Sequence, residues 1–192
     1  MSKYKIIALF GEAGAGKDYL QKQIMQTKWG KDNLYPIISC TTRPPRQGEK
    51  DGVDYHFIPT AAEFLNGDNM RKWIEFTWFR NWWYGTSIDN LSKDKINIGV
   101  FNIEGITQIL ENEEIECLPI RSLCPDKIRL FRQLNRENNP DCLEICRRFQ
   151  TDKEDFLNIP FEYKGIENNT NEIQPVINEL ISIIKYWSIE IK

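Results

Sequence analysis

Short apolar runs, closed by glycine, proline or charged residues, alternate along this chain with stretches in which apolar residues recur at helical spacing. Residues 3–10 (K-Y-K-I-I-A-L-F) end in an apolar run stopped by Gly11, the pattern of a buried strand. A glycine-rich turn over 11–16 leads into helical composition from 17 to about 28. Strands are predicted over 36–40 and 55–58, separated by an irregular loop, 43–53, that carries Pro44, Pro45, Gly48 and Gly52. Thr60 followed by Glu63 predicts a capped helix over 61–65. The aromatic, β-prone stretch 73–84 turns at Asn81. A strand over 96–103 stops at Glu104-Gly105 and passes into a helix ending near 111, and a strand over 117–123 follows. Helices over 126–136 and 141–156 are joined by 137–140, then come a short strand over 163–166 and a terminal helix over 173–187. Strands alternating with helices predict a parallel α/β sheet. The stretch 43–87, where short strands follow one another, predicts an antiparallel insert.

The chain has 192 residues, of which 41% are hydrophobic and 12% aromatic, enough for one domain with a packed core and too apolar for wholesale disorder. A net charge of −3 gives no global attraction to nucleic acid or to an anionic membrane, so an anionic ligand has to be held by a local cluster of cations. No run approaches the roughly 18 apolar residues of a membrane span, and the apolar stretch near the N-terminus is too short for a secretory signal. The five cysteines (40, 117, 124, 142, 146) form no C-x-x-C pair. Cys142 and Cys146 fall one helical turn apart, but the single histidine, His56, is remote and no third ligand accompanies them. They are expected to be free thiols in a reduced, cytoplasmic compartment, with no metal site among them.

Residues 11–18 read G-E-A-G-A-G-K-D. The phosphate-loop pattern G-x-x-x-x-G-K-[S/T] is met at every position but the last. Its glycines let successive backbone N–H groups point at phosphate oxygens, and the following helix N-terminus and Lys17 add positive charge. A glycine turn that merely contains a lysine is the plainer alternative. The preceding strand and following helix favour the nucleotide site, formed by Gly11, Glu12, Ala13, Gly14, Ala15, Gly16, Lys17 and Asp18. Asp18 stands where a hydroxyl would meet Mg²⁺; a carboxylate coordinates Mg²⁺ too, but it adds negative charge beside the phosphates.

Residues 39–57 read S-C-T-T-R-P-P-R-Q-G-E-K-D-G-V-D-Y-H-F. Arg43 and Arg46 on a proline-braced segment, with Tyr55 following, suit a dianionic phosphate. The string T-T-R-P-P-R-x-G-E-x-x-G-x-D-Y-x-F closely resembles the signature of guanylate kinases. The resemblance runs from Lys5 to about Ile184 and is strongest in the phosphate loop, in 39–57 and in 73–87. It implies an α/β, three-layer P-loop fold: a parallel sheet core (1–38, 88–124, 157–192), a small antiparallel lobe for the nucleoside monophosphate (39–87) and a helical lid (125–156).

The resemblance also implies roles. Arg43, Arg46, Tyr55 and Tyr84 would hold the acceptor phosphate, and Ser39, Glu75 and Thr86 would read guanine. Glu75 fits chemically, since one carboxylate accepts from both the ring N–H and the exocyclic amino group of guanine. Lid arginines Arg132 and Arg136 share one helical face. A third falls on Arg147 by its spacing to Arg136 and Glu154, or on Arg148 when counted from Ile145. Asn168 resembles an asparagine beside the adenine of ATP. The family's strand carries two aspartates where this chain has Val100 and Asn102, and Asp18 offers a replacement carboxylate near Mg²⁺. The implied activity is ATP- and Mg²⁺-dependent phosphorylation of GMP or dGMP, with Lys17 and the lid arginines as the catalytic groups. The alternatives are a broader nucleoside monophosphate kinase and an inactive, protein-binding relative. The expected partners are small nucleotides, with no nucleic acid or membrane, in a monomer or homodimer. Four tryptophans between 73 and 83 are read as packing of the small lobe, with a dimer contact as the other option.

Overall fold

The computed structural model describes residues 3–46, 48–66, 72–79, 81–136, 138–169 and 172–190. Gln47, Arg80 and Glu137, which the sequence puts in the arginine loop, the hairpin and the lid connection, lie outside them. Residues 6–10 of strand β1 (Tyr4–Phe10) have no exposed surface, because β1 is the middle strand of the core sheet. It pairs in parallel with β7 (Ile96–Val100) on one side and β8 (Ile115–Leu123) on the other. Strands β2 (Leu34–Pro36) and β9 (Lys164–Glu167) complete the parallel order β2-β7-β1-β8-β9.

Side-chain alternation along β1 divides the core into two layers. Ile7 and Leu9 pack with Leu20 and Ile24 of α1 (Lys17–Gln26) and with Ile177, Leu180 and Ile184 of α7 (Ile173–Glu190). Ile6, Ala8 and Phe10 face Ile106 and Ile109 of α4 (Ile103–Leu110). This three-layer arrangement matches the predicted class, and it places the glycine turn at the carboxyl end of the central strand, where open α/β sheets bind ligands.

Two predicted elements divide. The helix expected over 17–28 stops at Thr27, whose hydroxyl accepts the Gly30 N–H at 2.9 Å and opens a new helix, α2 (Lys28–Asn33). The strand expected over 36–40 becomes β2 in the core and β3 (Cys40–Thr41) in the lobe, and residues 37–39 cross between the sheets. The lobe sheet has the order β4-β3-β6-β5, with β4 (His56–Phe57), β5 (Trp73–Phe79) and β6 (Trp82–Ser87). Its pairs are antiparallel except β3–β4. Asn81 makes the hairpin turn with φ 66°. Phe64 of α3 (Ala61–Asn66) is buried between the rings of Trp73 and Trp83, at 4.4 and 5.9 Å, so these tryptophans pack the lobe, while Trp78 is half exposed. Helices α5 (Asp126–Leu134) and α6 (Cys142–Asp155) occupy the segment expected to be the lid, α6 being capped by the Asp141 carboxylate. No helix among the described residues is long and apolar enough to cross a membrane.

Candidate active site

The phosphate loop needs glycine at two places for distinct reasons. Gly14 has φ 81°, and a Cβ there would stand 2.6 Å from the Arg129 carbonyl oxygen of α5. Gly16, at φ 86°, lies under the Asn168 amide nitrogen, 2.5 Å from where its Cβ would be. Gly16 opens α1 without a side-chain cap, so the first N–H groups of that helix have no partner inside it, the arrangement that suits an anion. Lys17 curls back over the loop, donating to the Gly11 and Glu12 carbonyls at 2.8 and 3.1 Å. Burial lowers its pKa, and Asp18, Asp152 and Glu12 oppose the change. An ammonium has three donors, so one proton remains for a phosphate. Glu12 is paired with Arg121 of β8 at 2.5 Å.

Across the cleft, Arg43 is almost fully buried. It donates to Glu49 at 2.9 Å and to the Pro44 carbonyl at 2.8 Å, and lies 5.4 Å from the Tyr55 ring centre. The second Glu49 oxygen accepts the Arg46 backbone N–H at 2.7 Å. Burial pushes the Glu49 carboxyl up, but hydrogen bonds from Arg43 and Arg46 outweigh it and hold the group below its ordinary value. One carboxylate therefore shapes both halves of the arginine clamp. Tyr84 stands edge-on to Tyr55, with ring centres 6.0 Å apart. Burial, then the field of Asp18 from the loop, pushes the Tyr55 phenol up to about 12. Asp18 itself is exposed in the first turn of α1.

The three residues expected to read the base are joined. Ser39 Oγ and Thr86 Oγ1 are 2.9 Å apart, and Thr86 donates through its hydroxyl and backbone N–H to the Glu75 carboxylate. Glu75 is only 5% exposed. Burial, with Glu104 adding to it, raises its pKa to about 7 against the Thr86 hydrogen bonds. Gly105 leaves the room that the carboxylate occupies, since a Cβ there would lie 2.9 Å from Glu75 Oε2. Asn102 is committed to structure: its Oδ1 caps α4 through the Gly105 N–H at 2.7 Å and its Nδ2 donates to Thr77 at 3.2 Å. Val100 packs against the core.

The α5–α6 pair brings some predicted arginines together and leaves one outside. Arg132 reaches the loop, its Nη1 3.5 Å from the Gly14 oxygen. Arg136 lines one pocket with Arg46 from the lobe and Arg148 from α6. Arg147 does not: it is exposed and grips Glu144 at 2.7 Å, while Arg148, one full turn beyond Glu144, meets that carboxylate from the pocket side at 2.9 Å. Asn168 is buried beneath the loop, donating to the Ala15 carbonyl at 2.8 Å, which commits its amide to loop support. Sequence reasoning passed over Glu49, although it stands inside the signature string. It also passed over Arg129 and Asp152, which carry no motif at all.

A glycine loop at the end of the central strand, a small arginine-bearing sheet and a helical pair together make the layout of a P-loop kinase fold. The guanylate kinase family profile matches residues 3–184. Guanylate kinase from Wigglesworthia glossinidia brevipalpis is 32% identical over 186 residues, covering 92% of this chain and 88% of that protein. The enzyme of that name from Prochlorococcus marinus is 32% identical over 184 residues, covering 92% and 96%. The crystal structure of guanylate kinase from Anaplasma phagocytophilum superposes with a TM-score of 0.66 at 19% identity, covering 97% of this chain and 87% of that one, a likeness of fold. The chain belongs to the guanylate kinase family.

Proposed function

We propose that this cleft is where the chain carries out the ATP-dependent phosphorylation of GMP, the activity its family membership gives it. The observation that carries the assignment of roles is the linked Ser39–Thr86–Glu75 set, its Thr86 and Glu75 buried, standing across from a phosphate loop with its lysine in place. ATP phosphates lie against the N–H groups that open α1 and against Lys17. Arg43, Arg46, Tyr55 and Tyr84 take the acceptor phosphate, and ionised Glu75 accepts from the two guanine N–H groups. Adenine offers no such donor pair, and a site built on those bonds discriminates strongly. The acceptor oxygen is already ionised, so the protein supplies positioning and charge neutralisation rather than a general base. Arg132, Arg136 and Arg148 are the lid groups placed to neutralise charge on the transferring phosphoryl.

Mg²⁺ supplies further neutralisation of the phosphates when bound. The donor set fits an ion held mainly by substrate and water, as Mg²⁺ commonly is, since Val100 and Asn102 give no carboxylate and Asp18 gives one. Asp18 is the residue that would hold it. The contacts assigned here go to the base and the phosphate, so they apply to GMP and dGMP alike. Lys17→Met tests the donor half: turnover is lost while GMP still binds, and a variant that turns over normally refutes the placement of ATP on this loop.

A further inference from the structure

Both polar groups of the third loop residue are held by the lid. Asp152 of α6 accepts the Ala13 N–H through Oδ2 at 2.8 Å, and Arg129 of α5 donates its Nε to the Ala13 carbonyl at 3.0 Å. The same two side chains are paired with each other at 2.5 Å. Their side chains are 4% and 16% exposed, and the Arg129 guanidinium also lies 4.5 Å from the Phe149 ring centre. A buried ion pair is a weak source of stability, because desolvation of the two charges offsets most of their attraction. What it gives is geometry. The guanidinium fork is rigid, and here it is shared between a carbonyl and the carboxylate that holds the N–H of the same residue, so neither peptide flanking Ala13 can turn without breaking a bond. One turn further along α5, Arg132 stands 3.5 Å from the Gly14 oxygen, so the anchor at Arg129 also fixes where Arg132 meets the loop.

We propose that Arg129 and Asp152 are positioning residues that lock the phosphate loop to the base of the lid. They present the loop amides to the donor phosphates and set Arg132 beside them. The loop and lid base then move as one body. This rests on the reading of the loop as the ATP site.

The test is the double variant Arg129→Met with Asp152→Leu, which removes both grips together and leaves without its partner only the solvent-exposed Asp126 carboxylate, which Arg129 also meets at 2.8 Å. The expected result is a rise of about tenfold in KM for ATP and a fall of about ten- to a hundredfold in kcat, with KM for GMP unchanged. A folded double variant with unaltered ATP KM and kcat overturns the proposal. Should it fail to fold, amide hydrogen exchange on the unsubstituted protein decides: the Ala13 amide is expected to exchange far more slowly than that of Gly16, and equal rates overturn the proposal. Lys17→Met separates the two levels. If it loses ATP turnover while the double variant does not, the positioning role alone falls; if it too is unaffected, the donor-site reading falls with it.

Discussion

Glu75→Gln separates what the base-reading carboxylate does for binding from what it costs the fold. Burial raises the Glu75 pKa from 4.5 to about 7. Below pH 4.5 the group is protonated in folded and unfolded chains alike and costs nothing. Between 4.5 and 7 the unfolded chain ionises first, so stability falls as pH rises, and above 7 the penalty levels off at about 3 kcal/mol. Glutamine has no such titration and its carbonyl oxygen still accepts from Thr86. The variant is therefore expected to match the unsubstituted protein near pH 4.5 and to exceed it by about 3 kcal/mol at pH 8, measured by urea unfolding at both values. Other groups titrate equally in both proteins and cancel. Activity moves the other way: kcat/KM for GMP falls by about 10²–10³-fold, since one acceptor becomes a donor facing a donor. In the unsubstituted enzyme KM for GMP rises as pH drops through about 7, where the carboxylate takes up its proton. A stability gain that is the same at both pH values, or a loss at pH 8, would refute the reasoning.

Glu49→Gln removes the charge that organises Arg43 and Arg46, and is expected to raise KM for GMP by about ten- to a hundredfold while leaving KM for ATP unchanged; steady-state kinetics with each substrate varied in turn checks this. Asp18→Ala should raise the Mg²⁺ concentration for half-maximal activity by about tenfold, and an unchanged Mg²⁺ titration means Asp18 is no ligand. Arg148→Ala is expected to lower kcat about a hundredfold, whereas Arg147→Ala stays within about twofold; the reverse order in single-turnover rates would place the third lid arginine on Arg147 after all.

The layers of the fold were legible because hydrophobic pattern speaks directly to burial: the apolar run at 6–10 is the fully buried centre of the sheet, and Thr60 capped the helix it was expected to cap, accepting the Glu63 N–H at 3.1 Å. Pattern failed where one stretch serves two neighbours. Residues 36–40 read as one strand because each half is apolar, yet Pro36 belongs to the core sheet and Cys40 to the lobe, a division set by pairing partners distant in sequence. Within the site, Ser39, Glu75 and Thr86 were named from separate motifs, and their hydrogen-bonded connection needed the β5–β6 register that sets Glu75 opposite Thr86. Arg148 lines the pocket with Arg136 and Arg147 does not, a difference of helix phase that a sequence leaves open. Arg129 and Asp152 were invisible because their meaning is a contact with the backbone of Ala13, more than a hundred residues away, and backbone acceptors leave no mark in a sequence.

We assign guanine selectivity to the buried Glu75 carboxylate across from the phosphate loop. The most direct test is ADP release from Mg·ATP with GMP, dGMP, AMP, CMP and UMP offered in parallel. Turnover with GMP and dGMP, and none above background with the other three, is the predicted result. Comparable turnover with AMP, or no turnover with any acceptor while GMP still binds, would contradict it.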